Sequence, residues 1–383
     1  QGVSSAASDV YKRQIMKTML AKVTSKSFRI ITVLGLLGLL SVAVPGVTTT
    51  AVAQQDGKVP GQSLGLNSDA DLWRLIRNGN SGDTQIKSEL AEVMIQSEGD
   101  NWRAVRNGPI SIYGAGGVIG MVILLAVFYT WRGRIMIDAG PSSEKVERFA
   151  ALDRFSHWLM AGSFVILAIT GLNLLYGRYV LLPIIGPEGF TLLTTAGKYA
   201  HNYLSFAFMA GLVLSFGLWV RHNIPAKIDI DWIKAGGGIF AKGVHPPAKK
   251  FNAGQKMIFW ITMIGGLSVS LSGIALMFPF QTDMFAKTFG ILNMVGFDLP
   301  TALTALQEQQ LNQLWHGIVS MVLMTIIIAH IYIGSVGMEG ALDAMNSGKV
   351  DRNWAKEHHN LWVEEMEAGK KTKRARKSPA PAE

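Results

Sequence analysis

Cysteine is absent from all 383 residues. Disulfides, iron–sulfur clusters, thiolate-bound haem and covalently attached c-type haem all require it, so this chain holds none of them. Charge is scarce too. Asp, Glu, Lys and Arg make up 16% of the residues against 49% hydrophobic, with a mean hydropathy of +0.26. That balance describes a membrane chain rather than a soluble domain around one large core. The net charge of +9 does not read as a nucleic-acid signature, because the basic residues sit in the loops between apolar runs. Five windows are long and apolar enough to span a bilayer: about 110–131, 156–177, 198–220, 257–279 and 313–338. The expected fold is all-α, an integral membrane helical bundle.

The first fifteen residues precede Met16 without charge pattern or periodicity, and 1–15 read as a non-native or read-through leader. From Met16 the pattern is that of a signal peptide over 16–53. Lys17, Lys22, Lys26 and Arg29 precede the apolar run ITVLGLLGLLSVAV, then Pro45-Gly46 and small residues at Ala51 and Ala53. An uncleaved sixth helix is the alternative, but the apolar run is short for one. Residues 54–109 form a polar segment with Trp73 and Trp102, suited either to packing on a partner or to a solvated tether. Residues 110–131 are then an extra span, 152–340 a four-helix domain, and 341–383 a basic tail ending in a Pro/Ala-containing stretch of disorder-prone composition.

Orientation follows from the basic residues. Loop 132–155 carries Arg132, Arg134, Lys145, Arg148 and Arg154; loop 221–256 and the tail from 339 are richer still. Loops 178–197 and 280–312 contain only Arg178 and Lys287. The basic sides alternate with the sparse ones, which predicts an outer N-terminal segment and an inner, cytoplasmic tail.

Two histidines, His316 and His330, stand fourteen residues apart in QLWHGIVSMVLMTIIIAHIYIGSVGM. Fourteen helical residues rise about 21 Å through nearly four turns, which puts both rings on one face near opposite sides of the hydrocarbon. An ionisable ring at that depth is expensive and usually functional. Depth sorts four intramembrane histidines into an outer pair, His201 with His316, and an inner pair, His157 with His330. Bis-imidazole ligation inside a helical bundle is one way to hold haem iron, so each pair is a candidate site for one b-type haem. Gly162, Gly171, Gly211, Gly217 and Gly317 would leave room for a porphyrin, though they serve plain helix packing equally well. Zinc would want four ligands at one depth, which the sequence does not offer. His222, His245, His358 and His359 read as structural or loop residues.

The chain resembles the cytochrome b (gamma) subunit of respiratory formate dehydrogenase, in a longer form. The resemblance runs from about 152 to 362 and rests on LDRFSHW, RHNIPAKIDIDWI, FNAGQKMIFW, the His316/His330 spacing and GKVDRNWAKEHHNLW. It implies five transmembrane helices after signal removal, the last four forming a di-haem four-helix bundle in the bacterial inner membrane. It implies haem ligands at His157, His201, His316 and His330. It also implies an iron–sulfur (beta) partner, a molybdopterin catalytic (alpha) subunit beyond it, and delivery of electrons to menaquinone or ubiquinone. Formate oxidation itself would lie on the alpha subunit. The resemblance places the quinone at Asn252, Gly254 and Gln255; capping of the following helix explains Asn252 and Gly254 equally well. The same span chemistry would suit the cytochrome b anchor of a nickel–iron hydrogenase or a thiosulfate reductase. A haem-free anchor or transporter is the reading from another class.

Overall fold

The computed structural model describes residues 99–377. The leader at 1–15, the signal peptide at 16–53 and residues 54–98 of the polar segment lie outside the described residues. Five helices in the described part are long and apolar enough to cross a membrane: Asn101–Arg132, Ala151–Val180, Leu182–His222, Ala253–Met277 and Ala305–Gly337. Only 11% to 28% of each apolar window is buried within the protein, so most of that surface is left for lipid.

The first crossing joins α1 (Gly99–Val105) to α2 (Ser111–Arg132) through a π-helical stretch at Arg106–Ile110 that absorbs Pro109. After strand β1 (Lys145–Glu147) come α3 (Ala151–Val180) and α4 (Leu182–Trp219), then short α5 (Lys227–Lys234) and α6 (Ala253–Met277). Short α7 (Met284–Asn293) precedes the last crossing, α8 (Ala305–Tyr332). The helices outrun the apolar windows because their polar ends are capped. Asp153 accepts the Ala150 N–H at 3.0 Å, Asn252 accepts the Gln255 N–H at 2.9 Å, and Thr304 accepts the Gln307 N–H at 3.2 Å. Residues 182–197, read as loop, are helical with a break at Gly186. There φ of +71° suits glycine, and Pro187 restarts the helix.

α3 and α4 form the tightest pair. Ser156 and Ser215 share a hydrogen bond of 2.7 Å between them, both fully buried. Gly211 lets the helices close up, since a Cβ there would lie 2.7 Å from the Met160 backbone nitrogen. This glycine serves helix contact. α4 also touches α6, α6 packs on α8, and α8 packs on α2. α8 is not closely packed on α3 or α4. That spacing matters for what lies between them.

At the basic end the described residues beyond α8 are folded. Strand β2 (Lys349–Asp351) pairs antiparallel with β1, Val146 opposite Val350. Around it lie α9 (Asp343–Asn346), α10 (Arg352–His358) and the start of α11 (Asn360–Lys377). Asp351 caps α10 by accepting from Asn353 and Trp354 N–H. Glu357 accepts the Asp138 and Ala139 N–H groups at 3.0 and 2.8 Å. Ile137, Phe149, Phe251, Val350, Trp354, Ala355 and Val363 close a shared core. Within the basic tail expected at 341–383, the aromatic and aliphatic residues bury a cap across the bundle end, while its Pro/Ala-containing end at 378–383 lies outside the described residues.

Candidate functional site: two histidine pairs

α8 places His316 and His330 toward the gap that separates it from α3 and α4. His201 on α4 meets His316 with ring centroids 6.3 Å apart and planes at 66°. His157 on α3 meets His330 at 6.4 Å and 60°. Two imidazoles bound to one metal ion through facing nitrogens, each bond about 2 Å, put their centroids roughly 6 Å apart. Both pairs have that spacing, and both join helices whose backbones stand apart. Among the described residues no three His, Cys, Asp or Glu side chains gather as a metal group. Two ligands per site suit an iron whose four remaining positions belong to a macrocycle.

The outer pair carries its own support. His201 Nδ1 lies 2.9 Å from Thr170 Oγ1, and His316 Nδ1 lies 2.9 Å from Ser272 Oγ. Each hydroxyl already donates its hydrogen to backbone carbonyls one turn back, Ile166 and Leu167 for Thr170, Ser268 and Val269 for Ser272. A hydroxyl that gives its hydrogen to those carbonyls is free to accept from the imidazole, an arrangement that places the proton on Nδ1 and leaves the Nε2 lone pair for a metal. Gly171 and Gly273 follow these hydroxyls, and a Cβ on either would lie 3.5 Å from the Cε1 of the histidine it faces. Sequence reasoning missed Thr170 and Ser272. Nothing in the linear chain ties either to a histidine, since the partners are 31 and 44 residues away.

At the inner pair His157 is flanked by aromatic rings. His157 lies 5.1 Å from Trp158 and 6.5 Å from Trp219. His157 Nδ1 is buried without a hydrogen-bond partner. Trp219 donates to Asp153 at 2.6 Å and lies 6.0 Å from Phe251, the residue before Asn252.

Asn252 and Gln255 form a reciprocal cap at the start of α6. The Asn252 side-chain oxygen accepts the Gln255 N–H, and the Gln255 side-chain oxygen accepts the Asn252 N–H at 3.2 Å. Capping uses only the oxygens, so both amide NH2 groups remain as donors. Gly254 is where Trp232 of α5 rests: a Cβ would lie 2.9 Å from its ring. Lys256, buried, ties α5 to α6 through Asp229 at 2.8 Å and the Ile224 carbonyl at 3.1 Å.

Other histidines behave differently from the four. His222 stacks on Phe251 at 6.4 Å. His245 pairs with Asp138 at 3.1 Å. His359 is fully buried in the cap with Nδ1 2.7 Å from the Lys249 carbonyl. Arg148, 4% exposed, lies between the Phe149, Trp354 and Trp362 rings and reaches the Gln255 side-chain oxygen at 3.3 Å.

Residues 148–348 match the family described as prokaryotic cytochrome b561. The chain is 27% identical over 229 residues to the cytochrome b556(Fdn) subunit of the nitrate-inducible formate dehydrogenase of Escherichia coli K12, covering 59% of this chain and 93% of that one. It is 26% identical over 224 residues to the cytochrome b556(fdo) subunit from the same strain, with 58% and 94% covered. The cytochrome b556 subunit of the Haemophilus influenzae formate dehydrogenase is 26% identical over 216 residues, with 55% and 79% covered. With five apolar crossings among the described residues and imidazole pairs set between them, the chain belongs to the prokaryotic cytochrome b561 family and is a multi-pass bacterial membrane cytochrome b.

Proposed function

We propose that this chain is the membrane cytochrome b subunit of a formate dehydrogenase, binding two b haems between α8 and the α3/α4 pair. The observation that carries the reading is the twofold meeting of imidazoles at 6.3 and 6.4 Å across helices that do not otherwise pack. His201 and His316 would ligate the outer haem, and His157 and His330 the inner one. When bound, these groups supply one-electron transfer. The residues around each ring would fix its orientation.

Orientation follows the loop charges: the cap faces the cytoplasm and the sparse end faces outward, toward an iron–sulfur subunit and, through it, a molybdopterin subunit. Quinone, menaquinone or ubiquinone, would be reduced at the turn before α6. There Asn252 and Gln255 would offer amide N–H groups to a carbonyl, and Gly254 would seat Trp232. Supporting this placement, Trp219 links His157 to Phe251 in two ring-to-ring steps of 6.5 and 6.0 Å. Purified with its partners, the protein should release two non-covalent haems per chain into acid acetone and show b-type bands reduced by formate and reoxidised by quinone. Absence of haem, or reduction by hydrogen or thiosulfate in place of formate, would remove the assignment.

A further inference from the structure

Two hydroxyl–glycine dipeptides, Thr170-Gly171 on α3 and Ser272-Gly273 on α6, stand beside the two outer histidines in the same way. Each gives a hydroxyl 2.9 Å from Nδ1 and a glycine beside Cε1. At the inner pair neither ring has such a partner among the described residues, and His157 Nδ1 is buried without one.

We propose that Thr170 and Ser272 are positioning residues that lock the outer histidines in one tautomer and make the outer haem site the lower in reduction potential. The inference rests on the two-haem reading above. A histidine that donates its Nδ1–H becomes a more basic ligand at Nε2, and a more basic ligand favours ferric iron. The effect is strengthened here, because each accepting oxygen also donates to backbone carbonyls, which polarises it as an acceptor. Both histidines of the outer pair would gain this push, and neither histidine of the inner pair would. One electron leaving the outer site and reducing the inner one would then move downhill, toward the basic end of the bundle. Reading the sequence for ligands alone would miss this, because the asymmetry lies in residues on neighbouring helices.

The test is a potentiometric titration of the b-type absorbance in membranes containing the assembled complex. The outer component is identified as the one lost in His201→Ala. It should be the lower-potential component in the wild type. Thr170→Val, which keeps shape and removes the hydroxyl, and Ser272→Ala should each raise it by at least a threefold change in its reduction equilibrium. That is about 28 mV at 59 mV per tenfold for one electron. Thr170→Ser and Ser272→Thr, which keep the hydroxyl, should leave it in place, and the inner component should not move in any of the four. An outer component of higher potential than the inner one overturns the proposal. So does an outer midpoint unmoved in both Thr170→Val and Ser272→Ala, or an equal shift in the hydroxyl-keeping variants. Loss of haem from the hydroxyl-free variants alone also overturns it, since the hydroxyls would then hold the site rather than tune it. If His201→Ala and His316→Ala fail to remove a common haem, it is the pairing that falls; unmoved midpoints with the pairing intact sink this inference alone.

Discussion

The two histidine pairs have nearly the same ring geometry, and the protein holds them by opposite means. The outer pair sits wholly among membrane helices and is fixed by hydroxyls on α3 and α6. The inner pair sits beside the cap, where Trp158 and Trp219 flank His157, with the Phe251 turn and buried Arg148 close behind. In lipid, where a ring nitrogen has no water to turn to, a short hydroxyl on the adjacent helix sets tautomer and orientation. Near the interface large aromatic surfaces are available, and packing sets orientation instead.

Removing a ligand gives the largest expected effect and tests whether the pairs are separate units. His201→Ala and His316→Ala should each abolish the same haem, and His157→Ala and His330→Ala the other, as counted by extraction and by the reduced spectrum. A haem common to His201→Ala and His330→Ala would break the comparison at its root.

Next in size is the cap. Trp354, 3% exposed, contacts Arg148, His358 and His359. Trp354→Ala should destabilise the cap by about 3–5 kcal/mol. Limited proteolysis should then cut within 338–369 while the outer haem band is kept. Equal loss of both haems would show that the outer pair also depends on the cap.

The turn before α6 comes third. Asn252→Ala should keep both haems reducible by formate and slow their reoxidation by quinone at least tenfold, about 1.4 kcal/mol in barrier terms. Loss of the cap on α6 alone would cost about 0.5–2 kcal/mol of stability without touching reoxidation. Stopped-flow reoxidation and thermal unfolding, taken together, separate the two roles.

Acid should loosen the cap. Burial pushes the His358 imidazole down to about 4, with the charges of His245 and Arg148 adding and Asp138 opposing. Burial likewise holds His359 well below its ordinary value, with Arg148 adding. The unfolded chain would protonate near 6.5 and the folded cap only much lower. This stabilisation is therefore complete above 6.5 and is lost as the pH falls through 4. Tryptophan fluorescence should report a cap melting temperature that declines over that window. In His358→Gln the decline should be shallower.

The pairing of the rings was legible in the sequence because depth along a transmembrane helix is a linear quantity. His316 and His330 on α8 fix two levels, and His201 and His157 fall at those levels once the spans are placed. The turn FNAGQK was legible as both a cap and a candidate binding site. The structure shows the two uses drawing on different atoms, the oxygens for the cap and the NH2 groups left over. Residues 182–197 were misread as loop, because a helix interrupted at Gly186 and restarted at Pro187 has the composition of a turn.

Hydropathy and helical rise are each sums along the chain, so the sequence alone determined which five helices among the described residues are long and apolar enough to cross, and which histidines share a level along them. What Thr170, Ser272, Trp219 and Arg148 do depends on which helix stands beside which, and only the tertiary structure decided it. A hydroxyl 31 residues from its histidine, or a basic stretch folding back as a cap on β1, leaves no local signal. Such contacts come from packing between separate crossings, which no periodicity along a single crossing can specify.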